Sequence, residues 1–343
     1  MSSRRNLLRL AAAIGAACAV LGLVACGSDE GSDSGGGADQ GGGAQRATLV
    51  LDFVPGPVHA GIYRALEQGY YEREGIDLQI IQPTSTADTL KLIDAGKAQF
   101  GIADGVDVAI QIAEGRDAKA IMALTQRPLG GLITLEEAGI DSPAELEGKT
   151  VGVTGVPSDD AILEAVLESA GADPSSVERV TIGFNGVQSL ENGKIEAFTG
   201  YIPADGVQIE VDGFPVKAFP LDENGGPRYP GLVVFSTEEA IAENPELMRS
   251  FVRATIRGYE DVLADPQVGL EALLAQNKAI PREFAEASLE AYEPLFQADA
   301  ERYGAFNADD LEALSRFMVD SGLAKEPIAA DRYATNEFVE GEG

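Results

Sequence analysis

Two stretches of this chain echo each other, and they narrow the fold more than any other feature. "GKAQFGIADG" (96–105) and "GKIEAFTGYI" (193–202) each hold a glycine suited to ending a helix, then a lysine, then an apolar strand running into a turn. Each closes a series in which strand-like and helix-like runs alternate. The first series contains "ATLVLDF" (47–53), a helical spacing from Val58 to Tyr71, "DLQII" (77–81), a helix at 86–96, "AQFGI" (98–102), a helix at 106–113 and "AKAIMAL" (118–124). The second contains "SPAEL" (142–146), "KTVGV" (149–153), a serine-capped helix at 158–171, "ERVTI" (178–182) and "IEAFTGYI" (195–202). Such alternation predicts an α/β fold with largely parallel sheets. After "YPGLVVFS" (229–236) the pattern turns helical, with a long helix starting at Asn244-Pro245 and others at about 267–276, 282–293 and 308–321. The expected architecture is two lobes of similar topology, each a mostly parallel sheet flanked by helices, with a helical C-terminal block. Lobe I takes residues 47–130 plus 236–343, and lobe II takes 131–235.

The N-terminal region reads differently. Arg4, Arg5 and Arg9 precede an apolar stretch from Leu10 to Ala25. The stretch is shorter than the roughly 20 residues a spanning helix needs, so residues 1–25 are expected to be a secretory signal peptide. Leu23-Val24-Ala25-Cys26 resembles the lipobox of bacterial lipoproteins, which implies a lipid on Cys26, and "SRRNLL" resembles a twin-arginine signal. Residues 26–46 hold almost no apolar side chains and read as a flexible tether. The expected location is extracytoplasmic, with the chain held at the cell membrane by that lipid.

Composition then removes several kinds of chemistry. The chain's two cysteines are Cys18 and Cys26, and its single histidine is His59. The body therefore has no disulfide, no thiolate and no zinc spacing. A net charge of −31 argues against nucleic acid or anionic lipid headgroups as partners. There is no GxSxG and no phosphate loop, so no catalytic residue, metal or cofactor is expected.

Six stretches in order support a closer reading: "LDFVPGPVHAGIYRALEQGYYEREGIDLQI" (51–80), "DTLKLIDAGKAQFGIA" (88–103), "LEGKTVGVTGVPSDDAIL" (146–163), "VTIGFNGVQSLENGKIEAFTG" (180–200), "NPELMRSFVRATIRGYEDVLADP" (244–266) and "YATNEF" (333–338). Across nearly the whole body the chain resembles ABC-importer substrate-binding lipoproteins of the thiamine-pyrimidine-precursor-binding (NMT1-like) family. The resemblance implies a type II periplasmic-binding-protein fold that closes on a small heterocycle between its lobes. It also implies an ABC permease with its ATPase as partner. Other solutes (riboflavin-like, sulfonate or nitrate) and a non-transport surface lipoprotein stand as alternatives.

Open α/β sheets bind ligands beyond the carboxyl ends of their strands. Asp52, Phe53, Ala103, Asp104, Thr125, Gln126, Thr154, Gly155 and Tyr201 sit at such predicted ends. His59 matches a histidine of the family, and Phe53 stands where many relatives have tryptophan. Ser158 precedes a predicted helix, but Asp159 and Asp160 in its first turn would repel a phosphate, which favours a neutral or cationic ligand. "GYIPADGV" (200–207) departs from the family's Gly-Tyr/Phe-Trp-Asn-x-Glu, leaving Tyr201 and Asp205 as the aromatic and carboxylate. The expected ligand contacts are Asp52, Phe53, His59, Asp104, Gln126, Ser158, Tyr201 and Asp205. A eukaryotic enzyme that resembles this chain needs a pyridoxal-phosphate lysine, a histidine four residues later and a cysteine-rich motif. The matching places here are Ala103 and Asp107, and the cysteine motif is absent.

Overall fold

Ten short strands, most of them apolar on both faces, define the architecture. They are β1 (Gln45–Val50), β2 (Ile76–Ile81), β3 (Phe100–Asp104), β4 (Lys119–Ala123), β5 (Gly130–Leu135), β6 (Thr150–Val153), β7 (Glu178–Thr181), β8 (Ala197–Tyr201), β9 (Val216–Pro220) and β10 (Leu232–Ser236). The computed structural model describes residues 44–340, so the expected signal peptide and Cys26 lie outside the described residues. β1 begins two residues inside the expected tether, because Gln45 and Arg46 already pair with Ile76 and Asp77 of β2.

The strands form two five-stranded sheets with orders β2-β1-β3-β10-β4 and β7-β6-β8-β5-β9. Within each sheet one strand runs against the other four. In the first it is β10, antiparallel to β3 and β4. In the second it is β5, antiparallel to β8 and β9. Both reversed strands are the ones that enter a sheet from the other lobe. The echoed stretches therefore become β3 and β8, which occupy the same third place beside the reversed strand.

Two corrections follow from the pairing. β10 belongs to the first sheet, so lobe II ends before Leu232 rather than at residue 235. The sequence reading also passes over β5 and β9. The Gly130-Gly131 pair looks like a turn signal, but at Gly131 a Cβ would come within 2.4 Å of the Phe219 carbonyl. The glycine there serves close strand packing, not a turn.

Two chain segments cross between the lobes, Leu124–Leu129 and Leu221–Gly231, and they run side by side. The Gly231 N–H donates to the Thr125 carbonyl at 3.1 Å, and the Leu232 N–H to Thr125 Oγ1 at 2.9 Å. Arg127 Nε donates to the buried carboxylate of Asp222 at 2.7 Å. Paired crossing segments of this kind are where a two-lobed fold can hinge.

Helix packing then places the first cleft loop. The helix Pro245–Ala264 starts with Pro245 at its first position, and Asn244 Oδ1 accepts from the Leu247 N–H. It buries Leu247, Met248, Phe251, Val252, Tyr259 and Val262 against lobe I, with Phe251 stacked on Phe100 of β3 at 3.8 Å between ring centroids. It crosses the helix Ala60–Glu67 at near backbone contact: a Cβ on Gly258 would lie 2.0 Å from the Gly61 carbonyl. That closeness lets the Tyr259 hydroxyl donate to the Val58 carbonyl at 2.6 Å, which ties down the turn that bears His59. Gly258→Ala is therefore expected to destabilise the fold by about 1–3 kcal/mol through overpacking. Thermal melting of the variant should read this as a drop of several degrees, and an unchanged Tm would show that the two helices have slack.

Candidate functional site

The carboxyl ends of the strands in both sheets face one cleft, whose cavity measures about 100 Å³. Lobe I contributes Asp52 and Phe53 from the end of β1 and Asp104 and Asp107 from the corner after β3. Lobe II contributes Thr154, Ser158 and Asp159 after β6, Phe184 after β7, and Thr199, Tyr201 and Asp205 from β8 and the turn beyond it. Val156, Ile162, Ala204 and Phe198 add apolar wall. Among the described residues, no lysine, arginine or histidine lines the cavity, while five aspartates do.

The aspartates are held by backbone groups. Asp104 caps the helix Gly105–Ala113, its Oδ1 accepting from the Val106 N–H at 2.9 Å. Its Oδ2 is buried, and the hydroxyl of buried Tyr229 lies against the same carboxylate as its one further donor. Asp107 sits one turn on, at the positive end of the same helix. The helix begins at a glycine because a Cβ on Gly105 would lie 2.5 Å from the Pro230 carbonyl, on the hinge segment. In lobe II the helix Pro157–Ser169 places Asp159 at the matching turn, with Oδ2 accepting from the Thr154 N–H at 2.6 Å. Asp205 Oδ2 accepts from the Tyr201 N–H at 2.8 Å, across the wide turn Ile202–Gly206. Both helix starts that could attract an anion thus already hold aspartates.

Ser158 differs from its expected role. Pro157 occupies the first helical position, so the cap residue is Val156 and Ser158 falls inside the first turn. Its buried side chain faces the cavity beside Asp107 instead of capping.

His59 and Gln126 also differ. Neither lines the cavity. His59 is 1% exposed, and both of its ring nitrogens are taken inside the loop. The Gly56 N–H donates to Nδ1 at 3.1 Å, which leaves the Nε2–H to donate to Asp52 Oδ1 at 2.8 Å. The ring is a strut that holds Asp52. Gln126 is buried against the C-terminal block, its side-chain amide donating to the Ala305 carbonyl at 3.0 Å. The other six expected contacts, Asp52, Phe53, Asp104, Ser158, Tyr201 and Asp205, come together around the cavity.

The sequence reading passes over Asp107, Asp159 and Phe184 as contacts. Asp107 had a signal, a lone charge in the apolar run from Val106 to Ile112. Asp159 was legible only as a helix-start charge. Phe184 had none, since its place depends on the other lobe. It meets Phe53 edge to face, with ring centroids 4.2 Å apart and planes at 78°. The pair joins the lobes at the exposed end of the cavity, where Phe184 is 36% exposed. Phe53 therefore packs on a residue of the opposite lobe.

Burial dominates the electrostatics. It pushes Asp104 well above the usual carboxylate range, with Asp107 adding repulsion and the Val106 N–H pulling back. Burial raises Asp107 to about 7, against a hydrogen bond from Ser158. It raises Asp205 to about 6 and lifts Asp159 as well. A carboxyl with a raised pKa binds its proton more tightly folded than unfolded. Its stabilising contribution is full below pH 3.8 and is lost as pH rises through about 6 for Asp205 and about 7 for Asp107. The Tm of the ligand-free protein should fall between pH 4.5 and 8, and Asp107→Asn should flatten that slope. An equal slope in the variant would place the titration elsewhere.

Among the described residues, no helix is long and apolar enough to cross a membrane, and no group of three or more His, Cys, Asp or Glu is arranged to hold a metal ion. The family described as "NMT1/THI5 like" matches residues 56–269. The formylaminopyrimidine-binding protein of Halalkalibacterium halodurans is 30% identical over 257 residues, covering 75% of this chain and 76% of that protein. The 4-amino-5-hydroxymethyl-2-methylpyrimidine phosphate synthase of Legionella pneumophila is 30% identical over 230 residues, 66% of this chain and 72% of that one. In fold, the alkanesulfonate-binding protein SsuA of Xanthomonas axonopodis pv. citri, bound to MOPS, superposes with a TM-score of 0.69 at 13% identity, over 84% of this chain and 98% of its own. The two-lobed α/β architecture is that of periplasmic binding proteins, and with the family match covering more than half of its length the chain belongs to the NMT1/THI5-like family.

Proposed function

We propose that this protein is the solute-binding component of an ABC importer and that it takes a small amino-heterocycle of the thiamine-pyrimidine-precursor class. The observation that supports this best is the cavity itself: five aspartates and several aromatic rings, with no basic side chain. Aspartates accept from an exocyclic amine, while Phe53, Phe184 and Tyr201 supply flat apolar surface to a ring. The relative named a formylaminopyrimidine-binding protein adds weight to that choice. A sulfonate or nitrate would meet five aspartates and, among the described residues, no basic side chain. Transport outside the cytoplasm, with a lipid on Cys26 keeping the chain near its permease, completes the proposal.

The role is binding without chemistry. Ala103 has no amine with which to form an imine, and His59 is enclosed between Gly56 and Asp52. On ligand entry the lobes close about the paired hinge segments, and the Phe53–Phe184 contact seals the cleft.

A thermal-shift panel tests the ligand class. Aminopyrimidines at about 100 times Kd should stabilise the protein by about 2.7 kcal/mol, and alkanesulfonates and nitrate should leave Tm unchanged. Stabilisation by a sulfonate or a flavin but by no aminopyrimidine sinks the assignment. His59→Ala should cost about 1–3 kcal/mol of stability by leaving Asp52 and the Gly56 N–H without their partner. The same variant should weaken ligand binding through a displaced Asp52, with His59→Gln recovering part of both losses. Full affinity in His59→Ala would show that Asp52 needs no strut.

A further inference from the structure

The corner after β3 holds two carboxylates in an arrangement that the capture of an exocyclic amine does not require. Asp104 and Asp107 are each 4% exposed and lie one helical turn apart at the start of the same helix. Asp104 Oδ1 accepts from the Val106 N–H in the cap, and the buried Tyr229 hydroxyl is the donor that lies against the same carboxylate. With one backbone and one phenol donor at most, a buried ionised carboxylate still costs folding free energy. The groups that face the pair from other elements repeat the sign: Asp52 after β1, Asp159 with Ser158 at the opposite helix start, and Asp205 with Tyr201 after β8. Tyr229 and Tyr333 lie beneath it, with the Tyr333 hydroxyl donating to the Gly105 carbonyl at 3.1 Å. No cation of the protein's own lines this wall.

We propose that Asp104 and Asp107 form a cation-selecting subsite, at which the ligand presents a positively charged, amidinium-type ring edge, and that the cavity rejects phosphorylated or sulfonated forms of the same ring. This rests on the binding role proposed above and deepens it. In the empty protein a proton relieves the repulsion between the two carboxylates. The cation replaces that proton: it forms charge-assisted hydrogen bonds to both side chains, and the displaced proton leaves to solvent. Rejection has a separate cause, because Asp107 and Asp159 already fill both helix starts where an anion would bind.

Isothermal titration with three probes tests this: a neutral aminopyrimidine, its N-methylated permanent cation and its phosphate ester. The cation should bind more tightly than the neutral ring at pH 8, and below about pH 7 its binding should release about one proton. Its affinity should fall about tenfold for each pH unit below about 7. The ester should not bind. Asp107→Asn should cost the cation about thirtyfold or more and the neutral ring by a clearly smaller factor, and it should reduce proton release. Asp104→Asn, which keeps the helix cap, should repeat the pattern and guards against a folding defect in the first variant. If the neutral ring binds and the cation does not, or if both variants bind the cation like the parent, the subsite is wrong and the binding role survives. If none of the three probes binds, both fail.

Discussion

Burying carboxylates without cations is the constraint that the rest of this structure answers. An ionised group loses hydration when it leaves water, and nothing in the cavity wall neutralises it. The fold meets the difficulty with oriented backbone. Asp104 and Asp107 sit at the positive end of one helix and Asp159 at that of another, while Asp205 accepts from the amide that ends β8. These contacts offset the penalty only in part, which is why burial still leads the causes that raise each of these four groups. The remaining free energy is available to a ligand that supplies donors or charge. The site is thus prepared for its solute by being left incomplete.

The same acids depend on the topology. Each lobe contributes strand ends to the cleft because its sheet has four strands pointing that way and one reversed strand returning from the other lobe. The reversed strands also make the hinge. β5 follows one crossing segment and β10 follows the other, and the two segments are hydrogen-bonded to each other through Thr125 and Gly231. Gly105 links hinge and site, since its lack of a Cβ lets the Asp104 corner pack onto the Pro230 carbonyl. A movement of the crossing segments would therefore reach Asp104 and Asp107 through direct contact.

Much of this was legible in the sequence where the signal was local. The helix at Asn244-Pro245 announced itself by cap and proline, and the echoed stretches pointed to equivalent strands. Asp52, Asp104, Tyr201 and Asp205 were readable as polar groups following apolar runs. Information that resides in pairing was not. Gly130-Gly131 resembles a turn until the Phe219 carbonyl is placed against it, and β9 has too weak an apolar pattern to stand alone. Phe184 gains meaning only when Phe53 arrives from the other lobe. His59 misled for a related reason. A lone histidine beside a cleft looks like a ligand contact, but donor and acceptor on opposite sides of one ring also make it a strut between an amide and a carboxylate.

The corner after β3 shows how one backbone serves different chemistry. The resemblance drawn from the sequence sets Ala103 and Asp107 at the places where it implies a lysine and a histidine. Here the first place has no functional group and the second has a negative one. Asp104, between them, belongs to the cavity wall and has the Tyr229 hydroxyl against its carboxylate. Strand, turn and helix start are unaffected by such exchanges, because the cap needs only an acceptor at Asp104 and the close packing needs only Gly105. The charge of the wall is therefore free to change while the fold stays constant, and on this chain both lobes contribute aspartates to it.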